Sequence, residues 1–253
     1  MAQTQERDPL RQAQDCAWTV AAREMRTRDA DAAIYEDFFT DFQTRVEHNA
    51  YRAALRGGPV AKRSLEVACG TGRTLPLLSG ATLVGIDFSR SSLLVARDRF
   101  DPRAALIQAS ATHLPFKDGV FDQTLCAGLL LHMPAEAIRL DVLREMGRVS
   151  VRPGRLAIAT HSWPLAIRRM FEQDREEHNF TWHRTTPREL ERLLKTSLGQ
   201  CRFKTWSICH LPRWKAGNRL GRFGVWLDGL LSRVPGLKHL TGTIVVAKVD
   251  LLP

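Results

Sequence analysis

The ten residues Ser64-Leu-Glu-Val-Ala-Cys-Gly-Thr-Gly-Arg73 constrain this chain more than any other stretch. An apolar strand pattern runs straight into a Gly-x-Gly turn, and a segment of helical pattern follows. Gly70 and Gly72 let the backbone turn tightly and let a ligand approach where no Cβ stands. The open N–H groups beyond such a turn attract a carboxylate or a phosphate.

The chain around this loop keeps one rhythm. Apolar runs at 64–68, 82–86, 104–107, 121–127 and 155–159 alternate with helical patterns at 72–79, 90–100 and 135–149. Strands alternating with helices predict β-α-β units in a parallel sheet covered on both faces. Upstream, residues 8–57 carry Ile34, Phe38, Phe39, Phe42 and Val46 at helical spacing until Gly57-Gly58-Pro59 stops them. Past residue 160 the pattern predicts helices at 164–177, 187–198 and 218–232, and strands at 202–209 and 242–249. No short helical crossover separates those last two strands, so they are expected as an antiparallel pair at one sheet edge, with 210–240 inserted.

A dinucleotide fingerprint would place a third Gly where Leu75 stands. That absence disfavours a pyrophosphate cradle and leaves a nucleoside without phosphates open. The run Leu83-Val-Gly-Ile-Asp87 supplies the matching second element, an apolar strand ending in an acid 17 residues after Gly70. A carboxylate at that strand tip accepts hydrogen bonds from ribose hydroxyls. The competing reading makes Asp87 a cap for the helix that begins near Ser89.

With 37 Lys and Arg against 27 Asp and Glu, the net charge is +10, which keeps nucleic acid, anionic lipid and acidic small molecules open as partners. A chain of 253 residues with ordinary composition is neither a disulfide miniprotein nor a disordered one. Cys16, Cys69, Cys126, Cys201 and Cys209 are odd in number, scattered and without ligand spacing, so no metal site is expected. Residues 1–15 lack the apolar core of a secretory signal, and no run reaches the ~18 apolar residues of a membrane span. A cytoplasmic protein without a span is therefore expected.

Five ordered elements, SLEVACGTG, VGIDFS, ASATHLPFKDGVFD, LLLHMP and VRPGR, make residues 60–160 resemble the class I S-adenosylmethionine-dependent methyltransferases of the type 11 group. Beyond residue 160 the similarity shrinks to the strand pattern and the stretch His-Arg-Thr-Thr-Pro-Arg-Glu-Leu. The expected fold is α/β: a Rossmann-like, doubly wound, mostly parallel seven-stranded sheet with an antiparallel edge strand. A helical cap over 1–59 precedes a domain over 60–253 with lid insertions at about 161–186 and 210–240.

The resemblance implies a set of contacts with S-adenosyl-L-methionine. Glu66 and the loop Ala68, Cys69, Gly70, Thr71 and Gly72 would meet its methionine part. Asp87 would hold the ribose and Phe88 would cover one adenine face. Where the family commonly has an Asp accepting from the adenine amino group this chain has Ser110, a weaker neutral acceptor; the Ala111 N–H, beside Thr112, serves a ring nitrogen. Ala127, Gly128 and Leu129 would line the methionine end and the substrate mouth. Ala68 stands where the family often has Gly, a change expected to cost little.

Methyl transfer from a sulfonium needs an aligned lone pair, and a base only when the acceptor loses a proton. His132 and His161 fall at the C-terminal edge of the expected sheet and are the candidate bases or substrate contacts; the alternative for each is a hydrogen-bonded loop histidine. His183 is a candidate to enter the same cleft from the lid. Cys69 and Cys126 have no base nearby and read as packing residues. Between Glu191 and Asp228 stand eight basic residues and no acid, interleaved with Phe203, Trp206, Trp214, Phe223 and Trp226. Such a stretch tracks phosphates, lies on an anionic membrane, or is a solvated face. The apolar helix within it is expected to close over the sheet edge as a substrate lid through Phe223 and Trp226.

The function expected is methyl transfer to a small-molecule acceptor, a natural product or metabolite. The alternatives are a tRNA/RNA or lipid-quinone methyltransferase, or a cofactor-binding subunit without its own chemistry. Nucleic acid is allowed but not favoured as a partner, and a homodimer is allowed.

Overall fold

The computed structural model describes residues 22–23, 25–58, 60–99, 104–162, 174–177, 180–209, 216–234 and 241–253. Nine strands are described: β1 Arg63–Val67, β2 Thr82–Asp87, β3 Ala104–Gln108, β4 Phe121–Ala127, β5 Ser150–His161, β6 Asp174–Glu177, β7 Phe180–His183, β8 Cys201–Ile208 and β9 Ile244–Leu251. Seven form one sheet in the order β3-β2-β1-β4-β5-β9-β8, and β6 with β7 forms a separate antiparallel ribbon. The order reverses between β1 and β4, which opens a crevice beyond their C-terminal ends, where ligands of such sheets bind.

The antiparallel strand is β9, paired antiparallel to both β5 and β8, so the edge strand β8 again runs with the parallel set. The doubly wound, mostly parallel seven-stranded Rossmann-like sheet is thus as expected, with its antiparallel member one place in from the edge. The central strands are apolar on both faces because both are covered. On one face Leu65, Val67, Ile86 and Leu156 pack against helix α3, Glu136–Val149, through Val142, Leu143 and Met146, and against α4, Pro187–Leu198. On the other, Leu125, Ala157, Ala159 and Val246 pack against α1, Asp41–Leu55, through Phe42, Val46, Ala50 and Ala54. Two further helices are α2, Arg90–Arg99, beside β2 and β3, and α5, Ala216–Leu231, which packs on α1 and is kinked at Gly221.

Local signals place the helix starts. Thr40 begins α1, its hydroxyl accepting the Gln43 N–H at 3.2 Å. Thr186 and Glu189 close a reciprocal capping box on α4, with Pro187 in the first turn.

The structure departs from the sequence pattern in three places. The long helix expected over 8–57 is broken among the described residues: a helical stretch over 25–31, a single 3-10 turn at Tyr35–Phe38, and then α1. The helix expected at 72–79 is only a 3-10 turn, Leu75–Leu77, because Pro76 removes a donor and Leu78 is already extended. Residues 174–177, expected helical, form β6 against β7; the rest of that expected helix, 164–173, lies outside the described residues. A short polar segment takes the conformation its strand partner offers, whatever its own pattern.

Candidate functional site

The Gly-x-Gly loop leaves β1 through Ala68, which sits at φ +59°, and Gly70, at φ +53°. A non-glycine residue in the left-handed region crowds its own Cβ, so Ala68 carries roughly 1–2 kcal/mol of strain. The replacement of glycine there is therefore more costly than the sequence suggested. A Cβ at Gly70 would meet nothing within 4 Å, so its side is open space for a ligand.

Asp87 at the tip of β2 ties this loop down. Its Oδ2 accepts the Gly70 N–H at 2.8 Å and its Oδ1 the Ser89 N–H at 2.9 Å. Burial pushes the carboxyl upward in pKa, against the opposing pull of those N–H donors. Each oxygen keeps a second lone pair for a ribose hydroxyl. The helix cap is Ser89, whose hydroxyl accepts the Ser92 N–H at 3.1 Å and donates to Asp29 at 2.6 Å. Asp87 is thereby left to the loop and the ligand.

A cavity of about 410 Å³ opens above this pair. Ala68, Gly70, Asp87, Phe88, Ser110, Ala111, Thr112, Ala127, Gly128 and Leu129, all expected at the cofactor, line it. So do Ile86, Ser92, His113, Met133, Arg28 and Tyr35, which the sequence did not mark. Ser110 turns its hydroxyl to Thr112, 2.9 Å away. Cys69, Thr71, Gly72 and Glu66 stand behind the lining. Cys69 packs under β2, where a Cβ on Gly85 would lie 2.8 Å from its sulfur, and burial pushes its thiol well up in pKa. That is the behaviour of a packing residue, as expected, and Cys126 is likewise pushed up to about 12 by burial. Thr71 donates its hydroxyl proton to Glu36.

Glu66 is the loop's buried acid. Thr74 donates to its Oε1, while Oε2 is buried without a hydrogen-bond partner among the described residues. Burial pushes its pKa up to about 8. An unpartnered buried carboxyl oxygen behind Ala68 calls for a polar partner, and the ammonium of S-adenosylmethionine is one that would also favour the ionised form of the acid. With the open side of Gly70 and the acid at the strand tip, the residues present fit that cofactor.

A second cavity of about 670 Å³ adjoins the first and shares Arg28, Tyr35, Ala127, Gly128 and His132 with it. His132 and His161 both line it and both lie against Trp182, with ring centroids 5.4 Å and 5.8 Å from the indole. Arg28 donates to His132 Nε2, so the neutral ring carries its proton on Nδ1. Three buried groups lining this cavity have no hydrogen-bond partner among the described residues: Thr160 Oγ1, Trp182 Nε1 and Arg73 Nη1. Arg73 is fixed by Glu47, 2.6 Å from its Nη2, and its guanidinium lies 4.0 Å from the centre of the Phe39 ring. Although burial opposes its charge, Glu47 raises the Arg73 pKa.

His183 does not enter the cleft. Side chains alternate along a strand, and Trp182 and Arg184 line the cavity while His183 points the other way. Its Nε2 lies 2.9 Å from Glu189, which also meets Arg139 at 3.2 Å. Against the cost of burial, the His183 bond and the charges of His183 and Arg139 hold the Glu189 carboxyl below its usual pKa. Phe223 and Trp226 line neither cavity: α5 packs on α1 and on the end of β8, where Asp228 accepts the Cys209 N–H at 3.0 Å, and both rings are exposed. The lid expected of them is not built here.

Arg73 was not marked from the sequence, although its place directly after the glycine loop is a signal that could have found it. Thr160 and Trp182 carry no signature of their own, since only the packing of the β6–β7 ribbon over β5 gives them a common cavity.

Residues 65–158 match the family model described as a methyltransferase domain. The methyltransferase GfsG of Streptomyces halstedii is 42% identical over 103 residues, covering 38% of this chain and 36% of that protein. The demethylmenaquinone methyltransferase of Mycobacterium marinum is 38% identical over 127 residues, covering 49% of this chain and 52% of that protein. The chain thus spans from about a third to about half the length of these curated relatives. In three dimensions a SAM-dependent methyltransferase from Thermotoga maritima superposes with a TM-score of 0.64 at 20% identity, covering 88% of this chain and 97% of that one. At that identity the likeness is one of fold.

Proposed function

We propose that this chain, whose residues 65–158 match the family model described as a methyltransferase domain, is a class I S-adenosylmethionine-dependent methyltransferase of the type 11 group that transfers a methyl group to a compact small-molecule acceptor held in the second cavity. The observation that carries the reading is the shared wall: Ala127, Gly128 and His132 belong to both cavities, so an acceptor in one lies against a cofactor in the other.

When bound, S-adenosylmethionine supplies an electrophilic methyl group on a sulfonium. Everything else falls to the protein. Asp87 orients the ribose end and Glu66 the amino end, which fixes the direction of the methyl. Arg73, Thr160 and Trp182 present donors to the acceptor cavity, so the acceptor is a molecule with oxygens to receive them. The aromatic walls, Tyr35, Phe39, Tyr51 and Trp182, exclude water and suit a ring system. His132 has its Nε2 occupied by Arg28, so it takes a proton from a hydroxyl acceptor only after Arg28 turns aside. His161 is the second base candidate on the same cavity.

A quinone-type lipid acceptor is the second reading, favoured by the same aromatic walls and by the demethylmenaquinone methyltransferase relative. Incubation with methyl-labelled S-adenosylmethionine and a fractionated cell extract tests the proposal. Label in the water-soluble low-mass fraction supports it, label in the lipid fraction selects the quinone reading, and label in tRNA or nowhere sinks both.

A further inference from the structure

Helix α1 has two working faces. Glu47 and Tyr51 look into the acceptor cavity, while Arg45 and Arg52 look outward into a groove of about 630 Å³ that α5 closes from the other side. From α5 and the turn that follows it come Arg222 and Arg233, with Trp226 and Leu230 between them. No carboxylate is among the described residues that line this groove. Alongside the arginines runs a stripe of exposed apolar side chains: Phe223, Trp226, Leu230 and, past the helix end, Val234. The spacing of three and four puts Phe223, Trp226 and Leu230 on one side of the helix, and Val234 follows beyond its end. Trp226 is 60% and Phe223 57% exposed, an exposure that soluble surfaces seldom give to large rings in a cluster.

We propose that this face docks the protein on an anionic lipid surface, with the four guanidinium groups at the level of the headgroup phosphates and the apolar stripe in the acyl boundary. Three observations favour a membrane over other occupants. The Phe223 and Trp226 rings stack on each other, centroids 5.6 Å apart at 29°, and the stripe continues in aliphatic Leu230 and Val234, which gives nucleic-acid bases little to stack on. A second copy of this chain packed two-fold on this face would bring the same four arginines against one another. The net charge of +10 adds a general attraction towards an anionic surface. No helix among the described residues is long and apolar enough to cross a membrane, so the contact lies in the interface plane. Because α1 also walls the acceptor cavity, docking holds that cavity near the bilayer surface.

Sedimentation of the full chain with vesicles tests this, comparing pure phosphatidylcholine with phosphatidylcholine mixed with phosphatidylglycerol. Binding is expected to the anionic vesicles alone and to weaken with salt. The double variants Phe223→Ser/Trp226→Ser and Arg222→Glu/Arg233→Glu should each lower the partition coefficient about tenfold or more. The exposed Arg97→Glu on α2, outside the groove, should change it less than about threefold. Circular dichroism and S-adenosylhomocysteine binding should be unchanged in all three, which keeps a folding defect apart from a docking defect. The proposal is overturned if neither vesicle binds, if Arg97→Glu weakens binding as much as the groove variants, or if those variants abolish self-association or tRNA binding while sparing vesicle binding.

Discussion

The Gly70 N–H and the Asp87 carboxylate, 17 residues apart in sequence, lie 2.8 Å apart at the ends of neighbouring parallel strands. One bond thus couples the two signals that a reader of the sequence sees separately, the glycine turn and the acid at the strand tip. The acid shapes the loop even before any ligand arrives, and its second oxygen holds the start of the chain leading to α2.

Ala68, at φ +59° between β1 and the loop, is strained where glycine would not be. Ala68→Gly should stabilise the fold by about 0.5–1 kcal/mol, the relief of strain being partly offset by the greater freedom of glycine in the unfolded chain. Chemical denaturation is the measurement. A destabilised variant would show that the Ala68 methyl does packing work that outweighs its backbone.

Glu66 gives a pH signature. Its folded value of about 8 lies above the ordinary value of 4.5, so its contribution to stability is fully present below about 4.5 and is lost as pH rises towards 8. Glu66→Gln should flatten that part of the stability profile. A cationic ligand group prefers the ionised carboxylate, so S-adenosylhomocysteine affinity should rise with pH across 6–8, by at most about tenfold per unit, with proton release. Calorimetry in buffers of different ionisation heat reads the proton directly, and an absence of proton release would separate Glu66 from the ligand amine.

Thr160 separates stability from acceptor binding. Its hydroxyl is fully buried and without a partner among the described residues, so Thr160→Val removes a desolvated group without changing shape. The melting temperature should hold or rise, corresponding to as much as about 1 kcal/mol, while the KM for the acceptor should increase severalfold. Loss of stability with an unchanged KM would mean that the hydroxyl serves the fold.

The sequence carried the sheet well because its signals are local: Leu65, Val67, Ile86 and Leu125 stand in short apolar runs, and Gly70 and Asp87 end two of them. Most of the lining proposed for the cofactor was legible for the same reason. The side proposed for the acceptor was not. Trp182 and His183 are neighbours in sequence and face opposite ways along β7, and which of them meets the cavity depends on how the ribbon packs, for which there is no local signal. An apolar helix announces that it packs somewhere without saying where: α5 packs on α1, and Phe223 and Trp226, expected on a lid, stand exposed away from both cavities.

The most direct test of the account is a calorimetric titration of S-adenosylhomocysteine and NAD into the wild-type chain and Asp87→Ala. The account predicts one site for S-adenosylhomocysteine, no comparable binding of NAD, and at least a tenfold loss in the variant, since each charge-assisted bond removed is worth about 1.5–3 kcal/mol. Equal affinity of the two proteins for S-adenosylhomocysteine, or a preference for NAD, would contradict it.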